Sequence, residues 1–257
     1  MDVAVLISGV TDPRYSLPGD LSGGSLQLHV DSHSTLSPFD EAALGLCLSL
    51  RDADPEVRIT ALVASGEALA RTVLGWRPDV LHRLDLGAIA RWDNDLMART
   101  LSVALRELAP QAALVLVGRE FGDYDDGSVP ASLAQLAGSP YIALALRLQR
   151  AQGTWSALRQ ATNGLERVQL PSPALLSVTN DPGNRLRHPL LKNVMMAKKA
   201  AVPVWQAAAC SDTPKLCLQA MVTAAEPARH SACEWLAGSP EEKARALAKV
   251  LLAQARA

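Results

Sequence analysis

Short apolar runs alternate with amphipathic segments from Met1 to Gly138. Residues 3–7 and 113–117 are continuous apolar runs, the pattern of strands covered on both faces. Residues 57–63 and 80–84 are read as two further strands. Between these runs apolar residues recur at helical spacing. Ala43, Leu44, Cys47, Leu48 and Leu50 form one face, residues 67–74 a second helix, and Leu96, Leu101, Ala104, Leu105 and Leu108 a third. Val129, Leu133 and Leu136 mark a fourth. The ends carry their own signals. Ser37 is a good N-cap, Pro38 a good first helical residue, and Asp40 and Glu41 suit the positive end of the helix dipole. Asp93 caps the third helix and Pro110 ends it. Strand and helix in strict alternation predict a mostly parallel sheet with right-handed crossovers.

The pattern changes after Gly138. Residues 141–149 and 154–161 are predicted to pair as a hairpin. Residues 166–170 and 174–179, separated by Pro171 and Pro173, are predicted as additional strands, antiparallel additions being common on parallel sheets. Residues 9–24, with Pro13 and Pro18, read as a long loop, and residues 25–30 alternate like an edge strand. Residues 180–201 read as a loop with a short helix at its end. Residues 202–234 read as irregular apart from one strand at 216–222. Ser239 and Pro240 open a final helix with a stripe of Ala246, Leu247, Val250 and Leu251. The expected organisation is a Rossmann-like α/β domain over residues 1–200 and a C-terminal extension over residues 201–257, packed on its own domain or on a partner.

Composition narrows the function. A chain of 257 residues, 49% hydrophobic, can bury a core that needs no disulfide or metal. A formal net charge of −1 argues against strong attraction to nucleic acid or to an acidic membrane. Aromatics at 4% leave few platforms for stacking single-stranded bases. Cys47, Cys210, Cys217 and Cys233 are scattered, which suits a reducing compartment and argues against a zinc or dithiol site. The N-terminal apolar run is too short for a signal peptide or a membrane span, so a cytoplasmic location is expected. No G-x-S-x-G elbow, P-loop or metal-ligand spacing occurs, and His29, His33, His82, His188 and His230 have no obvious partners. The sequence predicts no metal site and no enzyme acting alone. The basic residues between Arg185 and Lys199 read as a solvated face.

The stretch from Gly118 to Gly138 carries the best candidate chemistry. An apolar strand enters it, an acidic glycine-bearing loop follows, and a helix leaves it. Such a turn presents free N–H groups at the carboxyl edge of a sheet, where α/β proteins bind nucleotides. Spacing alone favours an ordinary strand-to-helix turn, because a few glycines and aspartates make a weak motif. Gly118, Asp123, Asp125, Gly127 and Val129 resemble G-K-Q-x-x-D-x-D-x-G-Q-V, the loop of the electron transfer flavoprotein β subunit family. Ser37-Pro38-Phe39-Asp40-Glu41-Ala42-Ala43-Leu44 resembles N-P-F-D-E-x-A-L of the same family, and residues 187–199 resemble R-Y-P-S-L-P-N-I-M-K-A-K-K. The three stretches occur in the family's order.

That resemblance implies a fold of the adenine nucleotide α-hydrolase type. It also implies a heterodimer with an α subunit that holds most of the FAD contacts and passes electrons from a flavin dehydrogenase to an acceptor. The family's nucleotide contacts would fall on Leu6, Ser37, Pro38, Phe39, Asp40, Ala64, Phe121, Gly122, Asp123, Asp125, Asp126, Gly127, Ser128 and Val129. Most members hold AMP there, and electron-bifurcating members a second FAD. The family's recognition loop would fall on Leu191, which enters an apolar pocket of the dehydrogenase, with Asn193, Val194, Met195 and Lys198 around it. The chain departs from the pattern in having Asp126 and Ser128 around Gly127, Arg119-Glu120 after Gly118, and Lys192 and Met196 in the recognition loop. A carboxylate near a phosphate repels it by roughly 1 kcal/mol even in a solvated site, which weighs against AMP. The alternative is an adenine-nucleotide-binding module of the same fold that transfers no electrons.

Overall fold

The computed structural model describes residues 1–17, 19, 29–87, 89–151, 154–207 and 235–254. The chain divides into two compact units, Met1–Gln219 and Ala220–Ala257. The first is built on strands β1 (Asp2–Ile7), β2 (Val10–Thr11), β3 (Ser34–Thr35), β4 (Arg58–Val63), β5 (Val80–Asp85), β6 (Leu114–Gly118), β7 (Tyr141–Ala151), β8 (Thr154–Ala161), β9 (Gly164–Gln169), β10 (Ala174–Val178) and β11 (Val204–Gln206). Its helices are α1 (Pro38–Ala53), α2 (Glu67–Leu74), α3 (Asn94–Leu108), α4 (Ser128–Leu136) and α5 (Leu191–Ala197). The described part of the second unit is α6 (Pro240–Gln254). It opens on a reciprocal cap in which Ser239 N–H donates to Glu242 Oε2 at 2.8 Å and Glu242 N–H to Ser239 Oγ at 3.3 Å.

Among the described residues, nine strands form one sheet in the order β11-β5-β4-β1-β6-β10-β7-β8-β9. Every neighbouring pair from β11 to β7 is parallel, and β8 and β9 are added antiparallel. This is the α/β sheet expected from the sequence. Period-two alternation in β1 divides its side chains between two cores. Val3, Val5 and Ile7 face Ala43, Leu44, Cys47 and Leu48 of α1 and Leu69, Ala70 and Val73 of α2. Ala4 and Leu6 face Met97, Leu101, Ala104 of α3 and Val129, Leu133 of α4. Both faces of the central strands are thus covered, which explains their continuous apolar runs.

Three segments differ from the sequence reading. The first is β10, which is parallel and lies between β6 and β7, with all five residues buried. Its run Ala174-Leu175-Leu176-Ser177-Val178 is the composition of a strand covered on both faces, not of a peripheral addition. The second is β11, which extends the sheet beside β5 within a stretch read as irregular. Three residues are too few for periodicity to register. The third is the edge strand expected over residues 25–30, of which only residues 29 and 30 are described. They belong to a helical turn that runs through residue 32. The strand expected at 216–222 lies outside the described residues. No helix among the described residues is long and apolar enough to cross a membrane.

Candidate functional site

The chain leaves β1 toward β4 on one side and later enters β6 on the other, so β1 and β6 are neighbours at a reversal of strand order. At such a switch point the loops after the two strands diverge to opposite faces and leave a crevice at their carboxyl ends. The segment after β1 ends in Ser37–Asp40. The segment after β6 is the acidic loop 119–127. A Cβ built on Gly118 would lie 3.0 Å from Phe39 Cβ, so glycine is what lets the end of β6 approach the start of α1.

Asp40 holds the β1 side of the crevice together. It is fully buried, and its carboxylate accepts from the N–H groups of Ser8 at 3.1 Å, Gly9 at 3.0 Å and Ser37 at 3.1 Å. Ser37 Oγ accepts from Asp40 N–H at 2.9 Å, closing a capping box. Burial pushes the Asp40 carboxyl up, opposed by the hydrogen bonds from Ser37, Ser8 and Gly9. Phe39 is half-buried and carries the Arg119 guanidinium over its ring, 5.5 Å from the centroid. Arg119 also pairs with Glu120 at 3.0 Å.

Asp125 organises the β6 side. Its Oδ2 accepts from Phe121 N–H at 2.8 Å, and its Oδ1 from the N–H groups of Gly127, Ser128 and Val129 at 3.0, 2.8 and 3.1 Å. Gly122 (φ +87°) and Gly127 (φ +99°) supply the left-handed conformations that let the loop fold back on this carboxylate. Asp123 points the other way and accepts from Thr11, and Asp126 is exposed. Tyr124 stacks edge-on against Trp92 at 6.4 Å; burial and the neighbouring Asp123 push its hydroxyl up.

The fourteen positions implied by the resemblance therefore separate by access. Leu6, Ser37, Asp40, Ala64, Phe121, Asp125 and Val129 are buried, and Leu6 belongs to the core under α3 and α4. Pro38, Phe39, Gly122, Asp123, Asp126, Gly127 and Ser128 border the crevice with some exposure. Ala64 lies at the β4 end beneath the segment before α1. A Cβ on Gly66, two residues on, would lie 1.7 Å from Asp31 O, and Arg91 reaches both Ala64 O at 3.3 Å and Asp31 Oδ1 at 2.9 Å. Arg91, Asn94 and Ser8 were not singled out from the sequence. Asn94 follows the Asp93 cap, the one local signal that a polar residue would sit at this edge.

A second surface lies on α5. Trp76 Nε1 donates to Arg187 O at 2.5 Å, and Arg71 donates to Lys198 O and Ala200 O at 2.6 and 2.9 Å, which anchors both ends of the segment. Pro189 and Val194 lie within ordinary contact distance of Gly75, 3.6 Å from where its Cβ would be, so the α5 segment packs against the end of α2. Arg187 also pairs with Asp52. So held, the segment leaves Leu190, Leu191, Met195 and Met196 exposed, Leu191 at 77%, with Lys192 and Lys198 exposed beside them. Asn193 and Val194 are half-buried.

The parallel sheet, the two-sided core and the crevice at a strand-order reversal place the chain in the open α/β class whose ligand edge is the carboxyl end of the strands. The electron transfer flavoprotein domain model matches residues 26–210, more than half of the chain, and the chain belongs to that family. It is similar to the electron transfer flavoprotein subunit beta of Bradyrhizobium diazoefficiens, 26% identical over 206 residues (79% of this chain and 80% of the relative). The subunits beta of Syntrophomonas wolfei and Megasphaera elsdenii are 25% and 28% identical, over 70% and 67% of this chain and 71% and 67% of those relatives.

Proposed function

We propose that this chain is the β-type subunit of an electron transfer flavoprotein. It pairs with an α subunit that carries most of the FAD contacts, and the pair moves electrons from a flavin dehydrogenase to an acceptor without chemistry catalysed by this chain. The observation that carries the reading is the meeting, at one switch-point crevice, of the two stretches that resemble the family most closely, Ser37–Asp40 and loop 119–129. The donor set of that crevice fits a minor share of the flavin contacts. Its exposed carboxylates, Asp123 and Asp126, oppose a pyrophosphate, and the nearby cations among the described residues are engaged, Arg119 with Phe39 and Glu120 and Arg91 with Asp31 and Ala64 O. The FAD pyrophosphate then belongs to the α subunit, with this chain supplying a wall beside it. FAD, when bound, supplies the redox centre.

The exposed Leu191 is the proposed anchor for the dehydrogenase, ringed by Asn193, Val194, Met195 and Lys198. Beyond β11, which belongs to the sheet, the extension is assigned to the α-subunit contact, with the exposed Leu247, Val250 and Leu251 of α6 as its apolar face. The test is to mix the purified chain with its α subunit and FAD. A 1:1 complex that carries flavin absorbance and is reduced by a dehydrogenase supports the reading. Failure to co-elute on size exclusion sinks it and returns the alternative, a nucleotide-binding module without electron transfer.

A further inference from the structure

Residues 29–32 form one helical turn, closed by His33 N–H donating to His29 O at 2.8 Å. A spacing of four on such a turn brings two side chains to one face. The two imidazoles lie there with ring centroids 4.8 Å apart and planes inclined by 33°. Tyr15 packs on His33, with its ring centroid 4.3 Å away. The turn is seated on the sheet: Asp31 O lies against Gly66, Arg91 pairs with Asp31 at 2.9 Å, and Ser65 Oγ donates to Ser34 Oγ at 2.8 Å.

His29 Nε2 and His33 Nδ1 are both buried, and neither has a hydrogen-bond partner. A buried imidazole nitrogen so left is costly in either form, as an N–H without an acceptor or a lone pair without a donor. One metal ion would engage the lone pairs of both. Two imidazoles that each give one nitrogen to one ion at about 2.1 Å have centroids about 4.6–5.3 Å apart, from octahedral to tetrahedral angles, and this pair falls within that range. Asp12, whose N–H donates to His33 O at 2.8 Å, adds a carboxylate near His33, paired in turn with Arg14. Among the described residues no third His, Cys, Asp or Glu completes the set, which leaves the other coordination positions to water. Imidazole donors select zinc, copper or nickel over magnesium and calcium.

We infer that His29 and His33 form a two-histidine site for a divalent transition-metal ion of the zinc class, on the segment packed over the end of β4. The bound ion fastens the ends of this turn to each other. The site belongs to this chain alone and holds whether or not the chain pairs with an α subunit.

The experiment titrates Zn2+ into the full chain and follows the histidine ring nitrogens by nitrogen-15 NMR, with Mg2+ as the control. Cys210, Cys217, Cys233 and His230 offer zinc other donors along the sequence, so the two ring signals, not the stoichiometry, decide. The expected result is that His29 Nε2 and His33 Nδ1 move together with Zn2+ and stay unmoved with Mg2+. His33→Phe keeps a ring against Tyr15 and removes the nitrogen. It is expected to weaken Zn2+ binding at His29 by about tenfold or more, at least the loss that follows when a ligand's supporting partner is removed. His82→Gln leaves both signals and the affinity unchanged. Zn2+ that moves only one of the two rings, or neither at millimolar concentration, overturns the inference. So does a His33→Phe chain whose His29 nitrogen takes Zn2+ with wild-type affinity. If that variant does not fold, the wild-type ring signals decide. A pair that assembles with FAD while both rings stay unmoved sinks this inference alone. A chain that takes Zn2+ on both rings and never pairs sinks only the proposed function.

Discussion

Thr11 donates both its backbone N–H and its hydroxyl to one carboxylate oxygen of Asp123, at 2.8 and 2.7 Å. Thr11 ends the short β2 after β1, and Asp123 lies in the loop after β6, so the pair closes the mouth of the switch-point crevice from both sides. Both groups are near solvent, and removing one lets water replace it. Thr11→Val and Asp123→Ala are each expected to cost about 0.5–1.5 kcal/mol in urea unfolding, and the double variant less than their sum. A loss well above that range would mean that the crevice loops unfold together when the tie is cut.

Asp40 is the opposite case. Its carboxylate is fully buried and satisfies the N–H groups of Ser8, Gly9 and Ser37 at once. Asp40→Ala leaves three buried donors without their acceptor, and the expected cost is about 3 kcal/mol or more. Asp40→Asn keeps an acceptor oxygen and is expected to lose less. Chemical denaturation of both variants checks the order. An alanine variant within about 1 kcal/mol of wild type would show that the three N–H groups find other acceptors.

What the sequence disclosed follows from which forces act locally. β1 and β6 were legible because a strand buried on both faces must be apolar at every position. The α1 start was legible because its cap is a local hydrogen-bond pattern, Ser37 to Asp40. Where β10 inserts was not, since pairing partners are chosen by tertiary packing and leave no periodic trace. The acidic loop was visible through Gly122 and Gly127, whose positive φ angles the turn requires. Which of Asp123, Asp125 and Asp126 turns inward was not visible in composition. The usable signal was positional, because an Asp two and three residues ahead of two N–H groups favours an Asx-type cap. That spacing assigns the N–H groups of Gly127 and Ser128 to Asp125.

Two buried aspartates give acid titrations of opposite sign. The Arg14 guanidinium holds Asp12 down to about 2, with a second contribution from the Arg14 backbone N–H. Its folded value lies below the ordinary carboxylate value of about 3.9, so its contribution is fully present above that value and is lost as pH falls through about 2. Asp12→Asn should therefore lie below wild type in stability at neutral pH and converge with it as the solution is acidified. The gap is expected to be small because Arg14 is largely exposed. Asp40 is pushed up by burial, so the folded chain binds its proton more readily than the unfolded chain does. Stability then falls as pH rises above the unfolded carboxylate value, and Asp40→Asn removes that slope. Urea midpoints of wild type and both variants across the acid range check the two signs.

Leu191 separates docking from folding. At 77% exposure it contributes almost nothing to the core, while Val194, one turn on, packs against Gly75 of the α2 end. Leu191→Ala is therefore expected to leave the unfolding midpoint unchanged, and with it the FAD content of the proposed pair with an α subunit. If Leu191 is the apolar anchor of the dehydrogenase contact, its truncation removes a hot spot worth about 2 kcal/mol, a roughly 30-fold weaker interaction. That loss should appear as a raised KM for the electron transfer protein in dehydrogenase turnover, with kcat nearly preserved, because the docked geometry is unchanged once formed. Val194→Ala should show the converse, a lower midpoint with a smaller docking loss. Equal turnover by wild type and Leu191→Ala would move the docking surface away from α5 and leave its exposed leucines without that role.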